Sequence, residues 1–158
     1  QYVAILRMRK QEDSTMFIDV SDDLSATTKD LSSKWHTAME IICKDEYIPV
    51  LQVRRFVQMI RDTCQRVQDL QVYANMCLAQ SPAIVVGVNI YNDAVRVSAS
   101  VEELKIFVDK HVATMTDEDD KKFKNILNEI DDTLLCLMYA GESMQRRDEA
   151  VLSDPWID

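Results

Sequence analysis

Residues 116–147 read TDEDDKKFKNILNEIDDTLLCLMYAGESMQRR, and their pattern decides the fold. Phe123, Leu127, Ile130, Leu134, Leu137 and Gly141 recur at steps of three and four, which places them along one face of an α-helix. Thr116 stands where a side-chain oxygen can cap the first free amides, and Asp119 follows three residues later. The four successive acids Asp117 to Asp120 suit the positive end of a helix. A calcium loop counted from Asp117 fails, because positions 5 and 6 would be Lys121 and Lys122, where an oxygen ligand and a glycine are required. Arg146 and Arg147 suit the negative end and set the expected stop.

Working outward, the helical period recurs through most of the chain. Ser100-Val101-Glu102-Glu103 has the spacing of a capping box, predicting a helix with Leu104, Val108, His111 and Met115 on one face. Ser81-Pro82 is a cap and first-position pair ahead of Ile84 to Val97, with Ile84, Val88, Tyr91 and Val95 aligned. The β-branched residues of that stretch, Gly87 and the Asn92-Asp93 pair also fit two short strands and a turn. Upstream, Val53, Val57, Ile60, Cys64, Val67, Ala74 and Leu78 predict a helix from just after Pro49 to about Ala79. Leu24, Leu31, Trp35, Ala38 and Ile42 predict another, capped by Ser21-Asp22-Asp23 and ending near Lys44.

Residues 1–20 depart from this period. Tyr2, Ala4, Leu6 and Met8, then Met16, Ile18 and Val20, alternate at period two on either side of the polar Gln11 to Ser14, the pattern of a β-hairpin. The tail 148–158 contains Pro155, which forbids a continuing helix, and Trp156, a large apolar residue available for docking. The expected fold is mainly α, an antiparallel bundle of four to five helices with a short N-terminal hairpin, or an α+β fold if the ambiguous segments are strands. One helical domain over 1–158 is expected, and a start at Gln1 fits a segment of a longer protein.

Composition points the same way. Two glycines and three prolines in 158 residues leave little material for the turns of a many-stranded sheet. A net charge of −9 argues against an extended phosphate-tracking surface, so nucleic acid is not an expected partner. No apolar run reaches the roughly 18 to 20 residues of a membrane span. Cys43, Cys64, Cys77 and Cys136 are scattered within helical patterns, which fits reduced thiols in a cytoplasmic protein and supplies no metal-site spacing. Neither His36 nor His111 lies at a motif spacing with a nucleophile, and with two glycines no glycine-rich phosphate cradle can be built. No catalytic residues, metal or cofactor are therefore expected.

Two features are left as candidates for binding. Arg54, Gln58, Arg61 and Gln65 fall along one face of the second predicted helix and make it locally basic in an acidic chain. They are either a solvated face paired with acids of neighbouring helices or, centred on Arg54 and Arg61, a docking stripe for an acidic or phosphorylated protein. Trp156 is the third candidate contact. Separately, Leu137 to Met144 carries L-x-x-x-G-E with a further apolar residue seven positions on. It resembles the short amphipathic motif that docks in the groove of apoptosis-regulating proteins, with Glu142 in place of the usual Asp. The same residues also fit a helix whose Gly141 permits close packing within a bundle. The expected function is a non-catalytic protein-interaction or scaffold domain of a larger cytoplasmic protein. The alternative is a regulatory domain that binds or masks a GTPase or kinase.

Overall fold

The computed structural model describes the backbone of residues 13–78 and 83–152, with side chains from 24–76 and 87–146. Among these residues four helices occur: α1 (Asp13–Cys43), α2 (Val53–Leu78), α3 (Ala83–His111) and α4 (Asp117–Leu152). A single 3₁₀ turn, Val50–Gln52, leads into α2, its Gln52 amide donating to the Pro49 carbonyl at 2.8 Å. Each helix packs on its two neighbours in the cyclic order α1, α2, α3, α4 and back to α1. Side-chain pairings run in opposite directions across α1 and α4: Lys34 donates to Thr133, while Lys44, ten residues on, reaches back to Asp119. The mainly α, antiparallel bundle is therefore present, with four helices.

The core seam explains this arrangement. Leu24, Leu31, Trp35, Ala38 and Ile42 of α1 are buried, as are Phe56, Val67, Leu70 and Ala74 of α2. From α3 come Ile90, Ala94, Val97, Val101, Leu104 and Val108, and from α4 Phe123, Leu127, Ile130, Leu134, Leu137, Ala140 and Met144. The α3 positions alternate steps of four and three, and the α4 positions do so as far as Leu137, close to 3.5 residues per turn, the period that keeps a seam facing its partner in a bundle of slightly inclined helices. Trp35 sits at the centre of the α1–α2 contact, its indole N–H donating to Cys64 Sγ at 3.1 Å.

α4 carries the seam read from its sequence, and its start is as expected: Thr116 Oγ1 accepts from the Asp119 amide at 3.2 Å, and the Thr116 carbonyl accepts from Asp120 at 2.8 Å. Its end is not. The helix continues to Leu152, because Arg146 is engaged by Glu142 one turn back at 2.6 Å and nothing before Pro155 opposes helix. α1 likewise begins at Asp13, so Ser21-Asp22-Asp23 is helix interior. Of the expected hairpin over 1–20, residues 1–12 lie outside the described residues and Met16 to Val20 fall within α1, where 16, 20 and 24 also satisfy the helical spacing. α2 is helical through Leu78, and its expected end at about Ala79 lies outside the described residues.

The largest correction concerns α3. It is one continuous helix through Ser100, so the capping box there is no start: the Ser100 hydroxyl accepts from Arg66 Nη1 at 2.6 Å. Burial of Val97, Val101 and Leu104 carries the helix through the polar Ser98 to Ser100 stretch. The inward face also differs, since Val88, Tyr91 and Val95 are exposed, while Gly87, Ile90, Ala94 and Val97 turn inward. Gly87 meets Gly141 here. A methyl carbon built on Gly141 would lie 2.7 Å from the Gly87 carbonyl oxygen, and one built on Gly87 would lie 2.9 Å from the Gly141 oxygen. The two glycines of the sequence thus form a close backbone approach of α3 to α4. Gly141 and Met144 lie at this contact and Leu137 is buried one turn before it, so the face of α4 that resembles a groove-docking motif is buried within the bundle.

Candidate functional site

The connection between α1 and α2 is held from below by one polar cluster. Tyr47 OH donates to Asp119 Oδ2 at 2.5 Å, and Lys44 Nζ donates to Asp119 Oδ1 at 2.8 Å. The Lys44 ammonium, then the Tyr47 hydroxyl, hold the Asp119 carboxyl below the usual carboxylate range, and the same contact raises Lys44. Glu46, between them in sequence, takes a left-handed φ of 51° that turns the chain so Tyr47 can enter the core.

This clamp has a signed pH dependence. A carboxyl lowered on folding contributes stability that is complete above its unfolded value, about 3.9, and is lost as pH falls through the folded value. A lysine raised on folding contributes stability complete below about 10.4 and lost above it. We expect the stability difference between wild type and Asp119→Asn to be flat from about pH 5 to pH 9 and to shrink as pH falls below about 3.9. Urea midpoints followed by circular dichroism across that range measure it; a difference that persists undiminished at pH 2 refutes the assignment.

Above the clamp, the turn presents apolar side chains to solvent. Val50 is 88% and Leu51 93% exposed, and Val53, at the start of α2, and Val57, one turn in, continue the surface. With Ile42, Tyr47, Ile48 and Phe56 these residues enclose an open hollow of about 490 Å³. Cys43 stands at its edge, and burial pushes its thiol up, which keeps it protonated and weakly nucleophilic at neutral pH.

Arg54 and Arg61 lie beside this hollow. At 100° per residue they fall on the outward crest of α2, with Val53 and Val57 on the flank toward α1 and Arg55 and Met59 on the flank toward α3. Both crest arginines are exposed, and neither has an ion pair or hydrogen bond among the described residues. Gln58 and Gln65, the other members of the stripe, donate to Asp62 at 2.9 Å and Asp69 at 3.1 Å, each one turn along the same helix. The expected pairing of the arginines with acids of neighbouring helices is therefore not made among these residues. Trp156 lies outside the described residues.

The other singled-out residues fall apart from one another. His36 is exposed on α1, and His111 is partly buried at the end of α3. Cys64 is spent on Trp35 and Cys136 is buried. Among the described residues no three His, Cys, Asp or Glu side chains lie close enough to hold a metal ion, and no helix is long and apolar enough to cross a membrane. Sequence reasoning missed Val50 and Leu51, whose signal was two aliphatic residues directly after Pro49 and off the α2 seam. Comparison with known proteins gave no matching family model, no similar curated sequence and no similar solved structure.

Proposed function

We propose that the bundle is a non-catalytic protein-interaction or scaffold module, and that it docks an acidic segment with apolar anchors on the turn before α2 and the crest of α2. The observation that carries this is the pairing of two kinds of unsatisfied surface at one place. Val50 and Leu51 are exposed almost completely beside an apolar hollow, and Arg54 and Arg61, on the neighbouring crest of α2, have no partners among the described residues. Aliphatic surface of that kind is where a partner's side chains gain most from leaving water, at roughly 25 cal/mol per Å². Charge selects the partner: in a chain of net charge −9 this locally basic edge attracts acid where the rest of the surface repels it. A partner of this chemistry would read the surface as a helix laid in a groove, leucines inward and glutamates toward Arg54 and Arg61.

The test uses a fluorescently labelled amphipathic peptide with leucines at i, i+3, i+4 and i+7 and glutamates between them, and its lysine counterpart. We expect saturable binding of the acidic peptide only. Arg54→Glu with Arg61→Glu should weaken it at least about tenfold, roughly 1.4 kcal/mol, as should Leu51→Asp, with helicity unchanged. Equal binding of the lysine peptide, or binding indifferent to all three substitutions, overturns the proposal.

A further inference from the structure

The surface around Val50 and Leu51 and the tail of the same chain are chemically matched. Residues 148–158 read DEAVLSDPWID and carry Asp148, Glu149, Asp154 and Asp158 with no basic residue. Among these acids stand Val151, Leu152, Trp156 and Ile157. This is an acidic segment with apolar anchors, the class of occupant that Val50, Leu51, Arg54 and Arg61 call for. Trp156 is its main anchor, since a docked aromatic side chain takes about 150–250 Å² out of water.

The fold keeps the two apart within one molecule. The hollow beside Val50 and Leu51 lies level with the start of α4, because Tyr47, in its lining, donates its hydroxyl proton to Asp119 in the first turn of that helix. From there α4 runs to Leu152, roughly 50 Å further at about 1.5 Å per residue. Residues 153–158 span at most roughly 20 Å when fully extended. Trp156 therefore cannot reach the hollow of its own molecule. A contact between the two is a contact between copies.

Charge selects where on a second copy the tail settles. With a net charge of −9, most of the surface repels it. The crest of α2 is different, since Arg54 and Arg61 are exposed and have no ion pair among the described residues. Glu46 is the one charged residue lining the hollow, so the acids of an occupant belong on the α2 side of it. Repulsion between whole copies is screened beyond about 8–10 Å at physiological salt, which leaves the contacting groups to decide.

We infer that the hollow and the crest of α2 take the tail 148–158 of a second copy of this chain, with Trp156 and Ile157 against the apolar surface and the carboxylates toward Arg54 and Arg61. The inference rests on the docking reading and names its occupant. The contact is heterologous: each copy offers a tail at one end of the bundle and a surface at the other, so association continues head to tail and does not close as a two-fold dimer.

Sedimentation velocity of the full chain from about 5 to about 500 μM tests this, and we expect a sedimentation coefficient that rises without a plateau at the dimer, half of the chain being associated at about 100 μM. Raising NaCl from about 0.05 to about 0.5 M should weaken association at least about threefold. Trp156→Ala with Ile157→Ala, which spoils the tail, and Arg54→Glu with Arg61→Glu, which spoils the surface, should each weaken it at least about tenfold with helicity unchanged. An equimolar mixture of these two variants should form a heterodimer that grows no further, since each supplies the half that the other lacks. Self-association absent at the highest concentration, undiminished in either variant, or not restored in the mixture overturns the inference. The leucine and glutamate peptide separates this outcome from the docking reading. If it binds the Trp156→Ala/Ile157→Ala protein while wild type stays monomeric, the surface stands and the tail is not its occupant; if the peptide also fails to bind, the docking reading falls with it.

Discussion

Gly141→Ala lowers the stability of the bundle by about 1–3 kcal/mol, although the same change in an isolated helix raises it by roughly 1 kcal/mol. The sign is decided by what the new methyl meets. It would lie 2.7 Å from the Gly87 carbonyl oxygen, 2.9 Å from the Tyr91 amide nitrogen and 3.2 Å from Tyr91 Cβ. Two of these are backbone atoms of another helix, so no rotamer change relieves them, and α3 must move away from α4. Such a movement loosens the seam on both sides, where Ile90 and Met144 are buried. Gly141→Leu should be incompatible with the native crossing altogether. Gly87→Ala is expected to be milder, because its contacts are each slightly longer, 2.9 Å to the Gly141 oxygen, 3.0 Å to Met144 Cβ and 3.4 Å to the Gln145 amide nitrogen. Combining the two alanines should cost less than the sum of the singles, since the first has already separated the helices. Urea unfolding followed by circular dichroism measures all four variants. A Gly141→Ala protein more stable than wild type would mean that the two helices do not approach this closely.

How much of this was legible in the sequence differs from helix to helix, for a physical reason. In α4 the large apolar residues and the inward face coincide: Phe123, Leu127, Ile130, Leu134 and Leu137 have few rivals on other faces, so the spacing alone names the core. α1 was legible from Leu24 onward by the same logic. In α3 apolar residues surround the helix, with Val88, Tyr91, Val95 and Ile106 all exposed, so two faces satisfy the period. Weight given to side-chain size then selects the outward one. The inward face is marked instead by small residues, Gly87 and Ala94, because α3 and α4 approach too closely for anything larger. A seam that includes glycine and alanine is invisible to a search for large aliphatics.

The candidate sites divide in the same manner. Arg54 and Arg61 were legible as a stripe because a helix converts spacing into a face. That they find no ion-pair partner among the described residues was not legible, since it depends on which acids the neighbouring helices bring near. Val50 and Leu51 stand out in the sequence only as two aliphatic residues after Pro49 and off the α2 seam, a position that does not say whether the turn folds them inward or leaves them in water. His111 was read as part of an apolar face. What spacing could not show was that its Nε2 is buried without a partner among the described residues.

The register of α3 is the point on which the two readings disagree most sharply, and a pair of substitutions decides it. Ile90 is 0% exposed and Val95 is 40% exposed. Ile90→Ala removes a buried branched side chain and leaves a cavity against α4, so we expect a loss of about 2–5 kcal/mol. Val95→Ala removes two methyl groups already half in water and replaces a β-branched residue with the best helix former, so we expect a change within about 0.5 kcal/mol of zero. A helix turned to bury Val88, Tyr91 and Val95 would reverse the order, with Val95→Ala destabilising and Ile90→Ala nearly silent. The contrast is more secure than either value, because both substitutions sit in the same helix within two turns and share one unfolded-state reference. It also tests the seam as a whole. Ile90 precedes Val97, Leu104 and His111 at intervals of seven, so a large Ile90 effect fixes the face on which the His111 imidazole must lie.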